Sequence, residues 1–194
     1  WNEDRWLSSD TVLSFVDMDD VDLYQRFYQI LDFMDGVWTA NPHHGFLCDN
    51  FDQTLDASRW HHNGYWTVFD HKCRNMLASG HSWLSTEVDC SRSNAYLFDF
   101  YLCFIEGESC SFCFNVDAVS LGQIRNGYKV VFDKTGNTIS ICRVEQDVCR
   151  VLVQIPHIYH TFSQNYLYRI LWDKVTGRIQ VYRHGTCLGE VEDP

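Results

Sequence analysis

Two carboxylates on one predicted strand are the residues best suited to chemistry. Glu87 and Asp89 are separated by one residue, and because successive side chains of a strand point to opposite faces, the two share a face. A retaining glycoside hydrolase uses a nucleophile carboxylate and an acid carboxylate about 5 Å apart. If the protein is an enzyme, Glu87 and Asp89 are therefore its candidate catalytic residues. The alternative is an ordinary pair of acids on a sheet surface.

A candidate carbohydrate-binding site includes this pair. Trp83 lies on the same predicted strand face by the same period of two. An aromatic ring stacks on the apolar face of a pyranose, while charged groups hydrogen-bond its hydroxyls. In the alternative interpretation, the aromatic members fill the core or lie under the N-terminal segment. The candidate residues are Trp83, Glu87, Asp89, Asp99, Tyr101 and Arg169.

These residues belong to a region of short predicted strands. From Phe46 onward, runs of β-branched and aromatic residues are separated by turn sequences. Because no helical period intervenes, the pattern predicts an antiparallel sandwich or barrel. The longest strand is apolar on both faces, so we expect one face to contact a partner sheet and the other to be covered or used for binding. The predicted strands are Gly64–Asp70, Trp83–Asp89, Tyr96–Ile105, Ser111–Asp117, Tyr128–Phe132, Thr138–Val144, Val148–Gln154, Leu167–Asp173 and Arg178–Arg183.

The acidic charge is concentrated at the N-terminus. Residues 1–36 contain nine acidic and two basic residues, which is −7 of the chain's net charge of −11. We therefore predict an N-terminal segment, 1–45, and a sandwich domain, 46–194. Apolar residues at helical spacing after an acidic start predict one helix near residues 21–35, docked on the sandwich by its apolar face. The alternative is an acidic arm that binds a partner.

Composition excludes several classes of partner. A pI near 5.1 argues against nucleic acid, because phosphate neutralisation needs clustered Lys and Arg. No apolar run approaches the length of a transmembrane helix, so no membrane insertion is expected. The sequence contains no phosphate-binding Gly-rich loop and no H-E-x-x-H motif, and its adjacent His pairs point apart if they lie in strands. We therefore predict no cofactor and no metal site.

The nine cysteines indicate an oxidising compartment, and hence an extracellular or cell-surface location. An odd number leaves at least one thiol unpaired within the chain. The best disulfide candidate is Cys142 with Cys149. If Glu145 and Gln146 form a hairpin turn, these two cysteines lie directly opposite each other, within bridging distance.

The order of several short motifs resembles the concanavalin A-like lectin/glucanase superfamily, especially its laminin-G-like and keto-disaccharide-hydrolase-like branches. The resemblance implies a two-sheet antiparallel jelly roll over about residues 46–193. It also implies a strand motif with a third acid in the glucanases, and here Cys90–Ser93 follow Asp89 instead. The motifs are Asp49-Asn50-Phe51-Asp52 with Leu55-Asp56 and Trp60, then Gly64–Val68, Asn126–Val130, Tyr168–Asp173, and Thr176–Tyr182 with Gly185.

Three functions remain open. The first is a non-catalytic module of a larger extracellular or surface protein, which binds a glycan or a protein partner. The second is a glycoside-acting hydrolase that uses Glu87 and Asp89. The third is a structural or assembly domain. Because the resembling domains continue for one or two strands beyond the position of Pro194, we expect a truncated chain or a strand supplied by residues 1–45. Self-assembly through the N-terminal segment or an open sheet edge then becomes possible.

Overall fold

Short antiparallel strands make up the regular structure of the described residues, as the strand patterning predicted. The structure is a computed structural model that describes residues 31–34, 37–40, 51, 54–70, 72–77, 81–88, 93–117, 119–120 and 123–193. The strands are β1 (Leu31–Met34), β2 (Val37–Ala40), β3 (His61–His62), β4 (Trp66–Val68), β5 (Cys73–Asn75), β6 (Leu84–Ser85), β7 (Ala95–Cys103), β8 (Ser109–Phe114), β9 (Val119–Ser120), β10 (Gln123–Ile124), β11 (Gly127–Asp133), β12 (Thr138–Glu145), β13 (Val148–Pro156), β14 (Asn165–Asp173), β15 (Arg178–Arg183) and β16 (Thr186–Glu192).

The chain divides into two compact units, Trp1–Asp89 and Cys90–Pro194. In the described part of the first unit the strands pair two by two: β1 with β2, β3 with β6, and β4 with β5. The predicted boundary between residues 45 and 46 differs from this division. It stays a prediction, because most of residues 1–45 lie outside the described ranges.

The helix predicted near residues 21–35 is wrong at its C-terminal end. Residues 31–34 form β1, which pairs with β2 so that Met34 lies opposite Val37. An Asp-Gly sequence stands between the two strands, and this dipeptide favours a two-residue hairpin connection. The local hairpin signal therefore prevailed over the helical spacing of the apolar residues. Residues 21–30 of the predicted helix lie outside the described part of the chain.

The second unit contains two four-stranded antiparallel sheets. The β8 sheet has the order β13-β12-β11-β8, and the β7 sheet has the order β16-β15-β14-β7. Aromatic side chains from the two sheets meet between them. The ring centroids of Phe100 and Phe112 are 4.9 Å apart, and those of Phe132 and Tyr168 are 4.7 Å apart. The sheets therefore pack as a sandwich around an aromatic core.

This arrangement confirms the predicted all-β fold with two packed sheets, whereas the jelly-roll connectivity stays a prediction. The core is completed by fully buried β-branched side chains of β11, β12 and β15, among them Val130, Ile141 and Ile179. Such residues suit a pleated surface that is buried on one side. Within the described ranges, we find no helix with the length and hydropathy that a membrane span requires.

The period of two in β7 determines which side chains can meet a ligand. Tyr96 is fully buried in the core, and Phe98 and Phe100 contact aromatic residues of the β8 sheet. The intervening side chains of Asp99 and Tyr101 point to the outer face, away from the β8 sheet. Tyr101 is 73% exposed there. The prediction that one face of this strand contacts a partner sheet is thus confirmed, and the use of the other face for binding stays a prediction.

The structure does not support the predicted Cys142–Cys149 disulfide. The turn between β12 and β13 lies one residue later than predicted, at Gln146 and Asp147, which both have positive φ. Glu145 therefore pairs with Val148, and Cys142 lies opposite Val151 rather than Cys149. Positive φ at both central residues is the conformation of a type I′ turn, which connects two strands through a two-residue loop. Cys142 and Cys149 are both free thiols.

Candidate functional site

The centre of the candidate site is an ion pair between Asp99 of β7 and Arg169 of β14. The two residues lie directly opposite each other in the register of the β7 sheet. Arg169 donates through Nε to Asp99 Oδ1 at 2.8 Å and through Nη2 to Oδ2 at 2.7 Å. Burial alone would lower the pKa of the Arg169 guanidinium, but the hydrogen bonding and negative charge of Asp99 outweigh burial and raise it.

Tyr101 stands next to this pair on the same face. It follows Asp99 by two residues, which places their Cα atoms roughly 6.7 Å apart along the strand. Its neighbour on β14 is Leu167, a smaller side chain that leaves the phenol ring 73% exposed. Asp99, Tyr101 and Arg169 were all predicted as site residues. The structure brings these three together, and we call them the outer-face site.

The same face continues across β15 and β16 with polar residues that the sequence analysis did not name. Tyr182 lies opposite Arg169 in the sheet. Beyond it, Glu190 Oε2 accepts hydrogen bonds from Arg178 Nη2 at 2.6 Å and from Gln180 Nε2 at 2.8 Å. The alternation of polar residues 178, 180 and 182 with apolar residues 179 and 181 in the sequence was the signal that could have placed them on this face.

The other three predicted site residues do not share a strand face in the described structure. Trp83 is half-buried and Glu87 is exposed, and both belong to the first unit. The strand between them, β6, is only two residues long, because it pairs with β3 at two positions. The alternation of side chains along a strand therefore does not extend from Trp83 to Glu87, and it does not place the two on one face. Asp89 lies outside the described residues, and the catalytic role of Glu87 and Asp89 stays a prediction.

A concave feature lies at one end of the sandwich in the second unit. This end cavity has a volume of about 340 Å³. Its residues come from strand ends and turns that are distant in sequence, so no local motif could have revealed it. The cavity is lined by Asn115, Tyr128, Arg143, Trp172, Lys174, Val175, Gly177 and Asp193.

Asp193 holds the wall of the end cavity together, in a cluster that we call the Asp193 clamp. Its Oδ2 accepts hydrogen bonds from Arg143 Nη1 at 2.8 Å and from the Tyr128 hydroxyl at 3.0 Å. Its Oδ1 lies 3.5 Å from Arg150 Nη2. Burial, and then the hydrogen bond to Asp193, raise the pKa of Tyr128, and the hydrogen bond to Asp193 raises the pKa of Arg143.

Metal-ligand arrangements are not found among the described residues. No group of three or more His, Cys, Asp or Glu side chains within the described ranges is placed to hold a metal ion. Three thiols do lie on the outer face of the β8 sheet, from Cys113, Cys142 and Cys149. Burial, followed by a hydrogen bond with Cys149, raises the pKa of Cys142 to about 12. A thiol with that pKa is protonated at neutral pH and is a poor nucleophile and metal ligand.

Comparisons with known proteins give a fold but no family. No family model matches the chain, and no curated protein matches it. A solved structure described as the carbohydrate-binding module CBM66 from Bacillus subtilis is similar, with a TM-score of 0.56 and 14% sequence identity over 69% of this chain and 79% of that chain. At this identity the likeness concerns the β-sandwich fold alone, and the resemblance to the concanavalin A-like superfamily stays a prediction.

Proposed function

We propose that the protein is a carbohydrate-binding β-sandwich module that binds glycans at the outer-face site. The observation that carries the proposal is the exposed ring of Tyr101 beside the Asp99–Arg169 pair. A ring of this kind offers a sugar an apolar stacking surface, and the ion pair beside it offers hydrogen-bond partners.

The ion pair keeps hydrogen-bonding capacity for a ligand. A guanidinium carries five N–H donors, and the contact with Asp99 uses two of them. Each carboxylate oxygen of Asp99 has a further lone pair, and the Asp99 side chain is 39% exposed. Because the bidentate contact fixes both groups, a sugar hydroxyl meets them with little further loss of side-chain entropy.

The likeness to a carbohydrate-binding module supports this proposal at the level of fold. We also propose that the module is non-catalytic and belongs to a larger extracellular or surface protein. Cys142 and Cys149 are free thiols, so the location no longer draws support from the disulfide predicted between them. Protein partners and self-assembly remain predictions from the sequence.

A glycan array with the whole chain tests the binding proposal. We expect binding that Tyr101→Ala weakens about tenfold, because the variant removes the stacking surface. Tyr159→Ala is the matched control, because Tyr159 is another exposed tyrosine of the same unit, with 62% of its surface exposed. Binding to no glycan, or equal loss in both variants, would contradict the proposal.

Hydrolysis assays on any bound glycan test the non-catalytic part. We expect no release of reducing ends. Release that Glu87→Gln abolishes would show that the protein is a hydrolase, and would return Glu87 to the role that the sequence assigned it.

A further inference from the structure

Polar side chains on the outer face of the β7 sheet follow a line that crosses all four strands. Tyr101 of β7 lies one diagonal step from Arg169 of β14, because Arg169 stands two residues beyond the strand neighbour of Tyr101. Gln180 of β15 lies one further step in the same direction, and Glu190 of β16 lies directly opposite Gln180. We call these four residues the outer-face diagonal. From the strand spacing and the rise per residue, its end residues have Cα atoms about 20 Å apart.

Both ends of the outer-face diagonal are open to solvent. Tyr101 is 73% exposed, and at the other end the side chains of Arg178 and Glu190 are 43% and 49% exposed. The hydrogen bonds that Arg178 and Gln180 donate to Glu190 all go to Oε2. The Oε1 atom of Glu190 therefore keeps its capacity to accept a hydrogen bond from a ligand.

The middle of the outer-face diagonal is lower than its ends, and its polar side chains are held in place. The Arg169 side chain is 18% exposed and is fixed by its bidentate contact with Asp99. Gln180 is 9% exposed and is fixed by Glu190. Leu171 lies between them and is 5% exposed, so it forms an apolar floor. A ligand that contacts both ends crosses this floor without having to order it, which lowers the entropy lost on binding.

The charges on the outer face are unfavourable for an anionic ligand. Each of its two guanidinium groups is already paired with a carboxylate. Two further carboxylates occupy outward positions in the next row of the sheet, so negative charge is in excess on this face. Like charges that face each other disfavour binding. The charged residues at the outward positions of the four strands are Asp99, Asp173, Glu190, Glu192, Arg169 and Arg178.

We propose that the outer face binds a neutral, extended glycan chain that crosses the four strands along the outer-face diagonal. This inference rests on the glycan-binding function proposed above and names the class of glycan. Tyr101 stacks on a ring at one end, Arg169 and its partner bond the hydroxyls of the next ring, and Arg178 and Glu190 bond hydroxyls at the far end. One sugar ring cannot contact both ends, because they are about 20 Å apart. The face therefore recognises an internal stretch of at least three sugar units.

The test is isothermal titration calorimetry of the whole chain with neutral oligosaccharides of increasing length. The probes are cello-, xylo- and manno-oligosaccharides of two to five units, because β-1,4-linked chains of this kind are extended. We expect at least one series to bind, with an affinity about tenfold higher for four units than for two. We expect tetramannuronate, an acidic chain with the same linkage, not to displace the bound tetrasaccharide.

Two variants and a control locate the chain on the face. Glu190→Ala removes the acceptor at the far end, and we expect it to weaken binding of four units about fivefold while binding of two units is unchanged. Tyr101→Ala should weaken binding of both lengths. Glu106→Ala makes the same change at an exposed position in the loop between β7 and β8, and we expect no effect. A partly unfolded variant would lose affinity for both lengths equally, so the dependence on length is specific to the proposal.

The outcomes separate the chain proposal from the glycan-binding proposal. The chain proposal is overturned if affinity does not rise beyond two units, if Glu190→Ala acts equally on short and long chains, or if tetramannuronate displaces the tetrasaccharide. Failure of all three neutral series to bind also overturns it, even if the array shows binding that depends on Tyr101. In each of these cases the glycan-binding proposal stands as long as Tyr101→Ala weakens binding. If Tyr101→Ala has no effect on any glycan, both proposals fail.

Discussion

The second unit contains two aspartate–arginine contacts with opposite patterns of exposure. In the outer-face pair, the carboxylate of Asp99 is 39% exposed and Arg169 is 18% exposed. In the Asp193 clamp, the carboxylate is 9% exposed and Arg143 is 33% exposed. The outer-face pair therefore presents its carboxylate to solvent, whereas the Asp193 clamp encloses its carboxylate and leaves Arg143, which also contacts Glu145 at 2.8 Å, as the more exposed partner.

The difference in exposure between the two contacts also predicts which of them matters more for stability and which for ligand binding. A buried carboxylate that loses its partners, or a partner that loses its carboxylate, leaves unsatisfied polar groups, and this costs free energy of unfolding. An exposed pair is solvated in either case, so its loss costs little. We therefore expect buried polar contacts to control stability and exposed ones to control binding.

The largest effect on stability is expected at His160, a buried polar side chain that is 7% exposed. Its Nε2 lies 2.6 Å from the Tyr168 hydroxyl, and its Nδ1 has no hydrogen-bond partner. Burial, followed by the charges of Arg183 and Lys134, lowers the pKa of His160 to about 4. In the unfolded chain the pKa of this histidine is near 6.5, so the unfolded state binds a proton before the folded state does as the pH falls. The free energy of unfolding therefore keeps its full value above pH 6.5 and decreases between pH 6.5 and 4. The loss reaches on the order of 3 kcal/mol.

Urea unfolding at a series of pH values measures this effect. His160→Gln keeps a carbonyl acceptor for Tyr168 but does not titrate, so its free energy of unfolding should change less between pH 6.5 and 4. His157→Asn is the control, because asparagine tolerates the positive φ of 63° at this exposed position. An unaltered pH dependence in His160→Gln would contradict the prediction.

The next effect concerns the Asp193 clamp. Asp193→Ala leaves Arg143 and the Tyr128 hydroxyl without their shared acceptor, and we expect the free energy of unfolding to fall by about 2 kcal/mol. Asp99→Ala should lower it by about 1 kcal/mol, because it removes a carboxylate that is 39% exposed but leaves the Arg169 side chain, 18% exposed, without its partner. Chemical denaturation of the two variants measures the difference. Equal losses would break the comparison.

For glycan binding, Asp99→Ala should have a larger effect than Asp193→Ala, which is the reverse of their order for stability. Asp99→Ala removes an acceptor and releases Arg169 from its fixed position, so we expect about tenfold weaker glycan binding at the outer face. Calorimetry with a glycan found on the array provides the measurement. An affinity within twofold of the unaltered protein would show that the ion pair does not contact the sugar.

The smallest effect is expected at Arg178 and Glu190, whose side chains are 43% and 49% exposed. Glu190→Gln retains an acceptor for Gln180 and loses only the ion pair, so the free energy of unfolding should change by less than about 0.5 kcal/mol. Thermal unfolding at low and high salt measures it. A larger loss that salt abolishes would show that exposed pairs also stabilise this sheet.

The strand patterns predicted much of the fold because burial on one side of a sheet leaves a direct record in the sequence. The period of two in residues 95–103 correctly placed Asp99 and Tyr101 on one strand face, and the structure shows that this face points away from the β8 sheet. The same reasoning failed at Trp83 and Glu87, since a strand exists only where a partner strand pairs with it. It also failed at residues 31–34, where helical and strand spacing compete over four residues.

Register and distant contacts could not be read from local patterns. A shift of one residue in the β12–β13 turn moved Cys142 from opposite Cys149 to opposite Val151, and the flanking sequence alone does not distinguish the two turns. The end cavity was not predicted at all. Its lining joins Asn115 to Asp193 across most of the second unit, and only the packing of the two sheets brings such residues together.

The sequence by itself determined the all-β character of the second unit, and which side chains of β7 share a face, because side-chain alternation is a local property of the chain. Only the tertiary structure decided which outward residues meet. Asp99 and Arg169 are 70 residues apart, and the register of β7 against β14 makes them a pair. Likewise, only the closure of the sandwich places Arg143, Lys174 and Asp193 around one cavity, because contacts between strands depend on the whole fold.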